Sequence, residues 1–228
     1  MWNSLENMHP WTPASVFLSD PPQKETAQLF MIGDSTMGPA YVNGETWPGW
    51  AAAFSGHLNE RIAFMNYARS GTSSRTWWRS GRPMALGEKI QPGDYILFQL
   101  GHNDVIGKGS KKTSIEEYQA YLKSYAAFAR SKGAHFVFIT PPVQKADISK
   151  ELAEGSLYAN SAAMKAVAEE TGLPVIDLNE KTWTEFQTMD ANELYRDGTH
   201  FTEYGSELVA QYVTALLREK KLDIVRFL

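Results

Sequence analysis

The chain contains no cysteine, which excludes disulfides, a thiol nucleophile and any thiolate metal centre. No apolar run approaches the ~18 residues needed to span a bilayer, so a membrane is not an expected partner. Basic residues are not in excess. The 22 Lys and Arg against 26 Asp and Glu leave a net charge of −4, and the electrostatic footprint of a nucleic-acid surface is missing. Histidine is scarce: the five lie at positions 9, 57, 102, 135 and 200. They form no His-x₃-His pair and sit near no recognisable acidic cluster, so no metal is expected. The first ten residues lack the basic start and apolar centre of a signal peptide. As written, the chain is expected to stay in the cytoplasm, although a chain shorn of its leader would read the same way.

What is present is globular. The 228 residues, 43% hydrophobic and 21% charged, suit one α/β domain with a sizeable core. Residues 1–27 carry several prolines and no clear period, which predicts an irregular N-terminal segment ahead of a single domain over 28–228. Apolar runs at 29–32, 62–68, 95–100, 135–140 and 174–178 predict strands. Helices are expected over 49–60, around Trp77 and Trp78, from 113 to a stop at Gly133, from 156 to a stop at Gly172, over 182–189 and over 203–220. Residues 38–48 read as a loop. Strands alternating with helices imply right-handed parallel βαβ units. The predicted fold class is therefore a three-layer α/β/α sandwich around a five-stranded parallel sheet of flavodoxin-like order.

In such a sheet ligands bind beyond the carboxyl ends of the strands. Three of the predicted strands deliver polar turns to that edge: Gly33-Asp34-Ser35-Thr36, Arg69-Ser70-Gly71-Thr72-Ser73-Ser74-Arg75, and Gly101-His102-Asn103-Asp104. Near the far end of the chain stands Asp197-Gly198-Thr199-His200. Acyl transfer needs a nucleophile, a base, a group that orients the base, and donors aimed at a developing oxyanion. Ser35 is the candidate nucleophile. His200 is the candidate base, because imidazole titrates near working pH. Asp197, three residues earlier, can hold the other ring nitrogen. The candidate oxyanion donors are the backbone N–H groups of Ser35 and Gly71 and the Asn103 side-chain amide.

Taken in order, these four blocks resemble blocks I, II, III and V of the SGNH (GDSL) hydrolases, over residues 29 to about 205. The resemblance implies Ser35 as nucleophile, Gly71 and Asn103 as oxyanion donors, His200 as base and Asp197 as its orienting acid, with no cofactor. The Gly-x-Ser-x-Gly elbow of α/β-hydrolases is absent around Ser35. Gly-Asp-Ser-Thr-Met, Gly49-Trp50, Asn66-Tyr67-Ala68-Arg69-Ser70-Gly71-Thr72-Ser73-Ser74-Arg75 and Gly101-His102-Asn103-Asp104 are similar to the rhamnogalacturonan acetylesterases within that superfamily. That likeness implies an acetylated pectic carbohydrate as substrate. Related branches act on acetylated xylan, lipids or thioesters, and a non-catalytic carbohydrate-binding protein on the same scaffold is the rival of another class.

Each candidate also has a structural reading. Ser35 could simply cap a turn. Asn103 could cap its loop, and Asp34 and Asp104 are expected to hold their loops. His102, a candidate substrate-binding residue, could shape the pocket or contact the acyl group, or it could be a hydrogen-bonded structural histidine. Trp50 lies on an apolar helical face and is expected in the core. Trp47, Trp77, Trp78 and Trp183 could stack on sugar rings or pack inside. Arg75 and Arg79 are candidates for pairing with a galacturonate carboxylate through their planar guanidinium forks, and each could equally be solvated or paired within the protein.

Overall fold

The computed structural model describes residues 20–42 and 44–228. Along the chain run β1 (Ala27–Gly33), a hairpin of β2 (Ala40–Val42) and β3 (Glu45–Trp47), α1 (Trp50–Ser55) and β4 (Ile62–Asn66). Next come α2 (Ser74–Arg79), α3 (Arg82–Gly87), β5 (Tyr95–Gln99), the single turn α4 (His102–Val105) and α5 (Ile115–Ser131). The chain then forms β6 (His135–Ile139), α6 (Tyr158–Thr171), β7 (Val175–Ile176), α7 (Leu178–Phe186), α8 (Ala191–Leu194) and α9 (Glu203–Glu219). Five strands make one parallel sheet in the order β4-β1-β5-β6-β7. That is the expected flavodoxin-like arrangement, with the chain reversing its winding direction at β1.

Alternation along the strands builds both faces of the sheet. Leu29, Met31, Leu97, Val137 and Ile139 point to one side, where they pack with residues of α1, α7 and α9. Phe30, Ile32, Ile96, Phe98, Phe136 and Phe138 point to the other, against α2, α5 and α6. Successive side chains of a strand leave on opposite faces, so apolar runs with no polar interruption are what a sheet covered on both sides requires. Trp50 is fully buried and donates its indole N–H to Gln99 Oε1 at 2.9 Å.

The helix punctuation follows the sequence closely. Ser114 and Glu117 close a capping box at the start of α5, and Gly133 and Gly172 end α5 and α6 in the left-handed region that glycine adopts without strain. Elsewhere the boundaries shift. α1 stops at Ser55 with Gly56 at its cap, short of the expected residue 60. The last strand shrinks to two residues because Asp177 leaves it to cap α7, accepting from the Glu180 N–H at 3.2 Å. α7 consequently starts earlier than the periodicity predicts. Of the expected N-terminal segment, residues 1–19 lie outside the described residues. Residues 20–26 form neither helix nor strand, and Lys24 is tied to the buried Asp94 at 3.0 Å.

The hairpin was not foreseen. Its sequence signal exists, since Asn43-Gly44 is the dipeptide most favoured in two-residue hairpin turns, and Gly44 has φ +87°. The hairpin replaces the expected loop and brings Trp47 to the edge of the sheet where β1, β4 and β5 end.

Candidate active site

Ser35 follows β1 directly, in a turn locked by its neighbours. The fully buried Asp34 accepts from the Thr36 N–H at 2.9 Å and the Thr36 hydroxyl at 2.8 Å. Burial pushes the Asp34 carboxyl up, but His102 and these Thr36 bonds outweigh it and hold the group below its ordinary value. Gly49 lets the chain pass this closely. A Cβ on Gly49 would lie 2.3 Å from the Met37 carbonyl, a contact that no side chain survives.

The turn 197–200 sits on the rim opposite, held by Arg196 N–H donating to the His200 carbonyl at 2.8 Å. Asp197 Oδ1 accepts from the backbone N–H groups of Thr199 and His200, both at 2.7 Å. Its Oδ2 lies 2.7 Å from His200 Nδ1. His200 Nε2 in turn lies 2.9 Å from Ser35 Oγ. Ser35, His200 and Asp197, separated by up to 165 positions, thus form one continuous hydrogen-bonded line. Partial burial pushes the Asp197 carboxyl up, and the bonds from His200 and Thr199 more than reverse this, so it stays ionised below the ordinary carboxylate range. In such a line a hydroxyl can pass its proton to the imidazole while the carboxylate fixes the tautomer and stabilises the cation formed.

The other two turns are bolted together. Gly71 adopts φ +73°, a conformation costly for any residue with a Cβ. Asn103 donates from Nδ2 to the Thr72 carbonyl at 3.1 Å, which uses one of its two amide hydrogens and leaves the other. Asp104, also buried, takes the Ser74 N–H at 2.9 Å, the Ser74 hydroxyl at 2.5 Å and the Thr113 hydroxyl at 2.9 Å. Burial raises the Asp104 carboxyl above its ordinary value despite those bonds. Asp34 and Asp104 are loop anchors, as their positions suggested.

The outer candidates fare differently. His102 is buried, its Nδ1 facing Asp34 Oδ2 at 3.3 Å and its Nε2 facing the Pro142 carbonyl at 3.1 Å. Both ring nitrogens are spent inside, so His102 is a structural histidine and not a substrate contact. Trp77 is fully buried and donates to the Tyr67 carbonyl at 3.1 Å. Trp78 packs edge-on against Tyr125 and Phe128. Both tryptophans belong to the layer between α2 and α5, which removes them from the sugar-binding set. Trp183 packs against the core on the opposite face and donates to the Lys150 carbonyl at 2.9 Å. Arg75 pairs with Glu117 at 2.5 Å, an internal partner that the sequence did not reveal. Arg79 is exposed in the last turn of α2, at the end remote from the capped start that meets Asp104.

A model of the GDSL-like Lipase/Acylhydrolase family matches residues 31–208, which includes every turn described above. The chain belongs to the GDSL-like lipase/acylhydrolase family. It is 33% identical to rhamnogalacturonan acetylesterase RhgT of Bacillus subtilis over 219 residues, covering 88% of this chain and 94% of that protein. It is 27% identical to the rhamnogalacturonan acetylesterase of Emericella nidulans, covering 80% and 81% of the two chains. Among solved structures, YxiM of Bacillus subtilis superposes with a TM-score of 0.76 at 24% identity, over 90% of this chain and 60% of that one. A variant of Axe2, an acetyl-xylooligosaccharide esterase from Geobacillus, superposes with a TM-score of 0.69 at 20% identity, over 86% and 96%. These two structures share the GDSL-like fold.

Around the GDSL-like framework stand residues that the sequence reading missed or left undecided. Trp47 meets the His200 ring edge-on at a centroid distance of 5.8 Å, and the Arg196 guanidinium lies over the Trp47 ring at 5.4 Å. Of the ambiguous tryptophans, Trp47 is the one beside the line. Lys111 stands over Gly71, its Nζ 3.1 Å from the point that a Cβ on Gly71 would occupy. No group of three or more His, Cys, Asp or Glu converges among the described residues. None of the described helices is long and apolar enough to cross a membrane.

Proposed function

We propose that this carboxylic ester hydrolase removes O-acetyl groups from pectic, rhamnogalacturonan-type saccharides through an acetyl-enzyme. Ser35 Oγ attacks the acetyl carbonyl carbon as its proton passes to His200 Nε2. The carbon–oxygen bond to the sugar breaks, and the leaving sugar oxygen takes that proton. Water then gives a proton to His200 and attacks the acetyl-enzyme, releasing acetate and restoring Ser35. The oxyanion of each tetrahedral intermediate is met by the Ser35 N–H, the Gly71 N–H and the free hydrogen of the Asn103 amide. Asp197 holds the tautomer.

The observation that carries the reading is the Ser35–His200–Asp197 line at 2.9 and 2.7 Å. A non-catalytic binding module has no use for a nucleophile, base and orienting carboxylate in register. The pectic substrate rests on the likeness to rhamnogalacturonan acetylesterases at 33% and 27% identity.

The test is acetate release from acetylated rhamnogalacturonan oligosaccharides, acetylated xylo-oligosaccharides and a short aryl acetate, for the native chain and Ser35→Ala. Highest kcat/KM on the pectic substrate, lost in Ser35→Ala, is the expected result. Highest kcat/KM on the xylo-oligosaccharides keeps the serine mechanism and discards the pectic assignment. Activity that survives Ser35→Ala overturns the mechanism.

A further inference from the structure

The sheet edge beside Gly71 carries more positive charge than the chain's net charge of −4 suggests. The segment Lys108-Gly109-Ser110-Lys111-Lys112 places three lysines within five positions, and its 3₁₀ turn over Gly109–Lys111 packs against α2. Lys111 is the inward member. Lys108 and Lys112 are exposed, whereas Lys111 is partly covered, with its ammonium beside Gly71. A Cβ on Gly107 would lie 2.7 Å from Lys111 Cβ and 2.2 Å from the Asn103 carbonyl. The stem of Lys111 therefore leaves the chain next to the Asn103 turn and reaches the Gly71 turn.

Charge accounting separates Lys111 from the other cations near the site. Arg75 is neutralised by Glu117 at 2.5 Å. Arg196 lies against Trp47, has Glu45 at 4.0 Å, and faces a groove that it shares with Glu193 and Glu203. Among the described residues, no carboxylate lies within ion-pair distance of Lys111. Arg69, two residues before Gly71, is exposed, with its backbone N–H bonded to the Gly33 carbonyl at 2.9 Å. Arg82, besides its partial burial, is pushed down by the Arg69 charge. Cations left without an internal carboxylate partner favour an anion from outside.

We propose that Lys111 is a specificity residue that binds the carboxylate of a uronic acid on the acetylated sugar or its neighbour, with Arg69 adding to the attractive field. This inference rests on the pectic reading above. It moves carboxylate recognition from Arg75 and Arg79 to the 3₁₀ turn packed against their helix. An ester carbonyl bound at the Gly71 N–H puts its own sugar ring within reach of the Lys111 ammonium, so the acetyl and carboxylate groups are read together. An ammonium on a flexible stem tolerates the varied angles at which a carboxylate arrives along a polymer, whereas a guanidinium fork requires a planar approach.

The test compares acetylated rhamnogalacturonan oligosaccharides with the same oligosaccharides after their carboxyl groups are reduced to primary alcohols. The native chain is expected to favour the acidic form in kcat/KM by about tenfold, mainly through KM, with the preference shrinking as salt rises. In Lys111→Ala the acidic-to-reduced ratio falls by about five- to tenfold, and Lys111→Arg, which returns the charge but not the ammonium's tolerance of angle, restores part of it. A ratio that does not move in Lys111→Ala overturns the inference while leaving the pectic assignment standing. So does an equal loss on both oligosaccharides, which marks a structural role. If the native chain deacetylates xylo-oligosaccharides but neither pectic form, the substrate reading itself fails and takes this inference with it.

Discussion

Asp197→Asn separates the effect of charge from that of shape. The carboxylate accepts three bonds, two at Oδ1 from backbone N–H groups and one at Oδ2 from His200 Nδ1, each 2.7 Å long. An asparagine placed the same way keeps a carbonyl oxygen for the two backbone donors, so the turn is expected to survive. Its amide nitrogen, however, is a donor, and it cannot face a protonated Nδ1. The imidazole must then carry its hydrogen on Nε2, which points that hydrogen at Ser35 Oγ across 2.9 Å. The base becomes a donor to the group whose proton it should take. Losing the tautomer and the ion pair together is expected to lower kcat on a short aryl acetate by about 10⁴-fold, or about 5 kcal/mol of barrier. Circular dichroism and Tm are expected to show a folded protein. Because the three residues act as a unit, Ser35→Ala with Asp197→Asn is expected to be no slower than Ser35→Ala alone. A folded Asp197→Asn chain within tenfold of the native kcat would refute the assignment of Asp197.

The depressed Asp197 carboxyl has a stability signature. A group whose value is lower in the folded state contributes stability above its unfolded value and loses it as pH falls through the folded value. The Tm difference between the native chain and Asp197→Asn is therefore expected to be largest near neutral pH and to shrink from about pH 5 to about pH 2; a difference that grows with acid contradicts the direction assigned. His102→Ala leaves the Asp34 carboxylate buried beside an empty volume, and urea unfolding is expected to show a loss of about 3–5 kcal/mol. An unchanged midpoint would mean that Asp34 and His102 are not a stabilising pair. The two tryptophans should separate cleanly: Trp77→Ala removes a fully buried indole and costs about 3–5 kcal/mol of stability. Trp47→Ala is expected to leave Tm within a few degrees and to raise KM on oligosaccharides, measured against the aryl acetate as reference.

Read from the sequence alone, the strands and the turns after them were legible because the physics there is local. A buried parallel strand must be apolar on both faces, so Leu29 to Ile32, Tyr95 to Phe98 and Phe136 to Ile139 stand out as uninterrupted runs. The chain must turn where each run ends, so the polar residues at 34–36, 71–75 and 101–104 fall on one sheet edge. Parallel connection puts those ends together. Helix stops at Gly133 and Gly172 were legible for the same local reason, since a left-handed cap needs a residue without Cβ. The boundaries at Asp177 and Ser55 were not, because competing caps and tertiary contacts decide where a marginal turn stops.

The sequence by itself determined which chemical groups would meet at the sheet edge, because the order of strands and turns dictates that edge and the hydrogen-bonded line needs only residue types delivered to it. Only the tertiary structure decided which surrounding side chains face solvent and which face each other. Trp77 and Trp47 are the same residue type in similarly polar surroundings, yet one lies in the layer between α2 and α5 and the other on a hairpin beside His200. Arg75 and Lys111 are both cations near Gly71, but Glu117, 42 positions away, neutralises only the first. Burial and charge pairing are properties of neighbours brought in from distant parts of the chain, and no local pattern encodes them.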